Sequence, residues 1–172
     1  MEETLINKVA QSGLITLNLE QYYPEGDRLF LDIKSTLFMG MVLKEKDFRA
    51  WIKEHDWSQY ADKHVAIGCS VDAIIPTWAY MLVGSKLTGI AGTIHFGTLE
   101  TLENELWLHS LNTIELNQYQ DAKMVVKGCS DKEVSPFAYV WITEKLVKIA
   151  QSVMFGEPCS TVPVYKRKTK VD

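Results

Sequence analysis

No run of apolar residues in this sequence approaches the roughly 18–20 that a membrane span needs, so no membrane partner is expected. Neither sign of charge dominates: 18 Lys+Arg face 22 Asp+Glu, a net charge of −4. That removes the basic surplus of a general nucleic-acid binder, and no nucleic-acid partner is expected. Cysteine is scarce and odd in number, three in all. This argues against a disulfide framework and leaves core thiols, a nucleophile or metal ligands. There is no GxGxxG, no phosphate loop ending in Gly-Lys-Ser/Thr, no HExxH and no GxSxG, so no nucleotide cofactor and no serine hydrolase is expected. The first residues, MEETLINKVA, lack the basic start and apolar stretch of a signal peptide, and a cytoplasmic protein is expected.

What is present fits one globular domain over residues 1–172. The chain is 47% apolar and carries 5 Trp, 7 Tyr and 6 Phe, enough to build a sizeable core. Residues 1–43 read as β-rich, residues 44–155 as an alternating helix/strand core, and residues 156–172 as a C-terminal segment with a basic tail. Alternation in LITLNLE (14–20) and in Leu29, Leu31 and Ile33 predicts two half-buried strands. Tyr23-Pro24-Glu25-Gly26-Asp27 between them has turn chemistry, so an antiparallel hairpin is expected there. Leu37–Leu43 reads as a third, weaker apolar run.

From Lys44 the period changes to that of a helix, with Phe48, Trp51, Ile52 and His55 on one face. Val65–Ile67, Thr93–Phe96 and Met124–Val126 read as strands. Helices are expected from Pro76 to about Lys86, from Leu99 to about Leu111 behind Thr98 as N-cap, and from Pro136 to Met154. His109 falls near the apolar face of its helix and is expected to pack there. Strands alternating with helices of this length imply crossovers and parallel pairing. The expected fold is α/β, a three-layer sandwich around a mostly parallel sheet, with the N-terminal hairpin added. The tail from Val164, holding Lys166-Arg167-Lys168-Thr169-Lys170, is expected to be a frayed, solvated terminus.

The most informative feature is a duplicated βα unit. Gln59-Tyr60-x-Asp62 precedes the Val65–Ile67 strand, Gly68-Cys69-Ser70, Pro76 and Ala79-Tyr80; Gln118-Tyr119-x-Asp121 precedes Met124–Val126, Gly128-Cys129-Ser130, Pro136 and Ala138-Tyr139. Cysteine and proline are seven positions apart in both copies, while the flanking matches slip by one. Both cysteines fall just beyond the C-terminal ends of strands, the edge where open parallel sheets bind ligands. The third, Cys159, sits between Pro158 and Pro163, and each of the three precedes a serine.

Three thiolates from separate loops suit zinc, or a four-iron cluster with one open iron. On that reading Cys69, Cys129 and Cys159 are the metal ligands, with Asp72, Asp131, Glu157 or His95 as a fourth, and the chain is a small metal-binding protein. On the alternative reading the cysteines only pack, and the chain is a non-enzymatic homodimeric interaction module docking through an edge around residues 14–33. Nothing in the sequence decides between an enzyme and a binding protein.

The runs HDWSQY (55–60), IIPTWAYMLV (74–83), FGTLETLE (96–103), VVKGCS (125–130) and MFGEPCSTVPVYKRK (154–168) resemble the bacterial domain-of-unknown-function family 2480 over almost the whole chain. The resemblance implies a bacterial cytosolic protein; it implies no activity, ligand or residue role.

Overall fold

The structure, a computed structural model, describes residues 13–128 and 131–168. The strands, in chain order, are β1 (Leu14–Asn18), β2 (Arg28–Asp32), β3 (Leu37–Phe38), β4 (Val42–Leu43), β5 (His64–Gly68), β6 (Thr93–Phe96), β7 (Lys123–Lys127), β8 (Ser152–Glu157) and β9 (Ser160–Lys166). The helices are α1 (Glu45–Glu54), α2 (Thr77–Leu87), α3 (Leu99–Leu111) and α4 (Pro136–Ile149). Among the described residues no helix is long and apolar enough to cross a membrane. The class is α/β, with mostly parallel strands, and the chain divides into two compact units, residues 25–105 and residues 1–24 with 106–172.

The first unit, 25–105, holds a parallel sheet in the order β2-β5-β6. Its core is built from the apolar stripe of α1 (Phe48, Ile52), that of α2 (Ala79, Val83, Leu87), and Val65 and Ile67 of β5. The second unit holds the order β1-β7-β8-β9, parallel except for β9. There Trp107 and Leu111 of α3 and Ala138, Ile142 and Leu146 of α4 cover Met124, Val126 and Val153. Full burial of each large side chain stabilises by about 1.5–3 kcal/mol.

The two units repeat one plan, 59 positions apart. Phe48 and Trp107, Ile52 and Leu111, Tyr60 and Tyr119, Ala79 and Ala138, and Leu87 and Leu146 are all buried. Asp62 and Asp121 both take a left-handed backbone, φ 60° and 56°. Each donates its amide to a carbonyl at or just beyond the end of the following helix: Asp62 N to Ile90 O, past α2, and Asp121 N to Ile149 O, the last residue of α4, both at 2.9 Å. The first strands match as well. Asn18 and Asp32, at the ends of β1 and β2, each accept from an amide two residues on and start a 3₁₀ turn, Leu19–Tyr22 and Ile33–Thr36.

Four expectations change. The strands at 14–18 and 28–32 do not pair with each other; β1 lies parallel to β7 and β2 parallel to β5. An antiparallel hairpin is present in the N-terminal part, but it is β3–β4, closed over Met39 and Gly40 at φ 51° and 70°. The helix from Pro136 ends at Ile149, and Ser152–Glu157 is a strand. Val153 fits both readings, because a helical stripe and the strand's inward face bury the same residue. His109 is exposed on α3. The tail is held as far as Arg167, which pairs with Asp121 and donates to Ile149 O; residues 169–172 lie outside the described residues.

Candidate functional site

The carboxyl end of the β2-β5-β6 sheet is shaped by two close approaches. A Cβ on Gly68 would lie 2.8 Å from Gly97 O and 2.8 Å from the Phe30 ring, so glycine is required where these strands converge. Asp32 faces Gly68 across the β2–β5 register and fixes the loop beyond it. One carboxylate oxygen accepts from the Ser70 hydroxyl at 2.6 Å; the other accepts from the amides of Ser70 at 3.2 Å and Lys34 at 3.0 Å. Burial works against the charge on Asp32, but the bonds from Ser70 and Lys34 outweigh it and hold the carboxyl below its ordinary range.

Cys69, between these anchored neighbours, is half-buried against the unit's core. It lines a cavity of about 200 Å³ whose other walls include Phe30, Tyr80, Phe96 and Gly97. The rings of Tyr80 and Phe96 meet edge to face, centroids 4.9 Å apart. Burial, and then the charge of a Cys69 thiolate, push the Tyr80 phenol up, so it keeps its proton and can donate. Thr98, which starts α3, closes one side. Thr98 and Thr101 cap each other: Thr101 N donates to Thr98 Oγ1 at 3.2 Å and Thr98 N donates to Thr101 Oγ1 at 2.9 Å. His95 Nε2 shares a hydrogen bond with Thr101 Oγ1 at 2.9 Å. The Thr98 and Thr101 amides thus serve the chain itself, and Cys69, Tyr80 and Thr98 bring the polar side chains of the pocket's lining.

The expected metal ligands are distributed over both units. Cys69, exposed Asp72 and half-buried His95 belong to residues 25–105. Cys159 belongs to the other unit and is exposed in the β8–β9 turn. Glu157, there too, takes the Lys127 ammonium at 3.1 and 3.2 Å. Asp131 is exposed and donates its amide to Glu20 Oε1 at 3.1 Å. Cys129 lies outside the described residues. Among the described residues, no three His, Cys, Asp or Glu groups come together to hold a metal ion.

The Gly-Cys-Ser tripeptide is also out of phase with the repeat. Gly68 is the last residue of β5, whereas Gly128 is the first beyond β7. Position for position, Cys69 matches Gly128 and Cys129 matches Ser70. Pro76 precedes α2, whereas Pro136 is inside the first turn of α4. The folding plan repeats faithfully, and the cysteine motif slides along it by one residue.

The second unit has its own strand-end cavity, of about 410 Å³, walled by Val126, Tyr139, Val140, Phe155 and Val164 among others, with no thiol among the described residues. Tyr139 and Phe155 repeat the edge-to-face pair at 5.5 Å, but Tyr139 donates its hydroxyl to Gly128 O at 2.8 Å. Sequence reasoning had Tyr80 and Tyr139 only as flanks of the repeat. Their shared alignment with an aromatic residue 16 positions on, Phe96 and Phe155, was the available signal for paired pockets. Asp32 left no signal, because its partner Ser70 is remote in sequence.

No curated protein and no solved structure matches this chain. Residues 3–167 match the family described as "Protein of unknown function (DUF2480)", and the chain belongs to that family.

Proposed function

We propose that the protein binds a small, largely apolar ligand in the Cys69 cavity, with the Cys69 thiol and the Tyr80 hydroxyl as its polar contacts. The observation that carries this is that Cys69 and Tyr80 line one cavity whose other walls are Phe30, Phe96, glycine backbone and Thr98. It lies at the carboxyl ends of parallel strands, where α/β sheets take ligands. The test is amide NMR with phenol and indole as probes. Binding shifts the amides of Gly68, Gly97 and Thr98 and slows alkylation of Cys69; probes that leave those amides unmoved sink the reading. The free thiols at Cys69 and Cys159 suit a reducing compartment, and we place the protein in the cytoplasm on that ground.

A second reading gives the thiolates of Cys69, Cys129 and Cys159 to zinc or an iron–sulfur cluster. Its support is that β5 and β7, each flanked by strands on both sides, are both followed closely by a cysteine. Metal content and the visible spectrum of protein purified without oxygen, chelator or affinity metal test it. Near-stoichiometric metal that is lost in Cys69→Ser and in Cys129→Ser supports the site; equal content in all three proteins ends it.

A further inference from the structure

The repeat shows what is missing from the first unit. In the second, β8 is covered on its outer side by antiparallel β9, paired from Ser152↔Lys166 to Glu157↔Ser160. The equivalent strand of the first unit, β6, has no strand on that side among the described residues. After Gly97 the chain enters α3 instead of turning back, whereas Gly156, its counterpart, is still within β8 and paired with Thr161 of β9. The exposure records the difference. Ile94 is 38% exposed where Val153 is 1%, and Phe96 is 68% exposed where Phe155 is 39%.

An open edge is normally protected by charge, proline or a bulge. The outer edge of β9 has all three: Lys166, Pro163, and a register shift beside it. On β2, the opposite edge of the first unit's sheet, Arg28 and Asp32 supply charge. β6, Thr-Ile-His-Phe, has none of these. It is also self-complementary. Running antiparallel about a twofold axis through His95, it sets Ile94 against Phe96 of a second copy, with both apolar side chains on one face of the joined sheet.

We infer that β6 is a docking edge for a second copy of this chain, paired antiparallel through β6 itself in place of the strand that β9 supplies to the other unit. Phe96 is also a wall of the Cys69 cavity, so the second copy narrows the mouth of that cavity, as β9 contributes Val164 to the cavity of the second unit. The dimer does not depend on what the cavity binds.

Light scattering over a dilution series tests it. Wild-type protein is expected near twice the 19.6 kDa of one chain at high concentration, falling to one chain on dilution. Ile94→Lys and Phe96→Lys are expected to stay monomeric with unchanged far-UV circular dichroism. Hydrogen exchange of the wild type gives a readout that needs no variant: the β6 amides gain protection with concentration, and Cys69 alkylation slows in parallel. A wild type that remains monomeric overturns the inference, including one that takes up a foreign extended peptide instead. A dimer that persists in both variants, without concentration-dependent protection of β6, overturns it too.

Discussion

The two units differ least in their cores and most at the carboxyl ends of their strands. Phe48 and Trp107 occupy one position, and both are fully buried. By contrast, Asp32 holds the loop beyond β5 through Ser70, while its counterpart Asn18 bonds, among the described residues, to its own turn, and Glu20 holds Asp131. Among the described residues, one cavity is lined by a thiol and the other by apolar side chains together with Tyr139 and Thr143. A repeated framework therefore fixes where a site is built without fixing its chemistry, and the differing chemistry is the guide to function.

The largest effects should be shared by the units. Phe48→Ala and Trp107→Ala are each expected to cost about 3–5 kcal/mol, read from urea midpoints. A cost below half of that range in one unit only would break the equivalence of the two cores. Trp107→Phe, which copies the other unit, sharpens the same test. The Trp107 Nε1 hydrogen finds no acceptor among the described residues, so the smaller ring also removes an unsatisfied donor, and the loss should fall well below that of Trp107→Ala.

The next effect separates the units. Asp32→Ala and Asn18→Ala each remove a turn cap worth about 0.5–2 kcal/mol. Only Asp32→Ala should also release the Ser70 anchor and speed alkylation of Cys69. Equal alkylation rates in the two variants would show that Asp32 does not position the thiol.

The smallest effect is a pH dependence confined to the first unit. His55 Nε2 faces the Tyr60 hydroxyl at 2.9 Å and the Gln59 amide nitrogen at 3.3 Å. Burial lowers its pKa below 6.5, against a weaker pull upward from Asp56. The unfolded chain therefore takes up the proton first as pH falls. The His55 contribution to stability is complete above pH 6.5 and is lost as pH drops from there through the lower folded value. The matching position in the second unit is Ile114, which is buried. His55→Ile should flatten the stability profile between pH 7 and 5, and an unchanged slope would assign that dependence elsewhere.

Local signals carried much of the fold. Thr98 as N-cap gave α3 its observed bounds, and β5, β6 and β7 lie where their apolar runs predict. The failures were non-local. The Pro24-Gly26 turn has hairpin chemistry, yet the partners of β1 and β2 are chosen by buried strands far along the chain. β8 was hidden because Val153 continues the stripe of α4. At the site, Cys69 was correctly placed beyond a strand end. Its anchor Asp32 and its neighbour Phe96 come from other strands, and only parallel pairing brings them beside it.

The order of strands along the chain also bears on how the protein folds. In the first unit Arg28 must find His64; in the second, Leu14 must find Lys123, because the whole first unit is inserted between them. Closing the longer loop costs more chain entropy and delays pairing. Pulse-labelled hydrogen exchange during refolding should therefore protect the amides of β2 and β5 before those of β1. The second unit would then be completed by its first strand, and protection of β1 ahead of β2 would contradict that sequence of events.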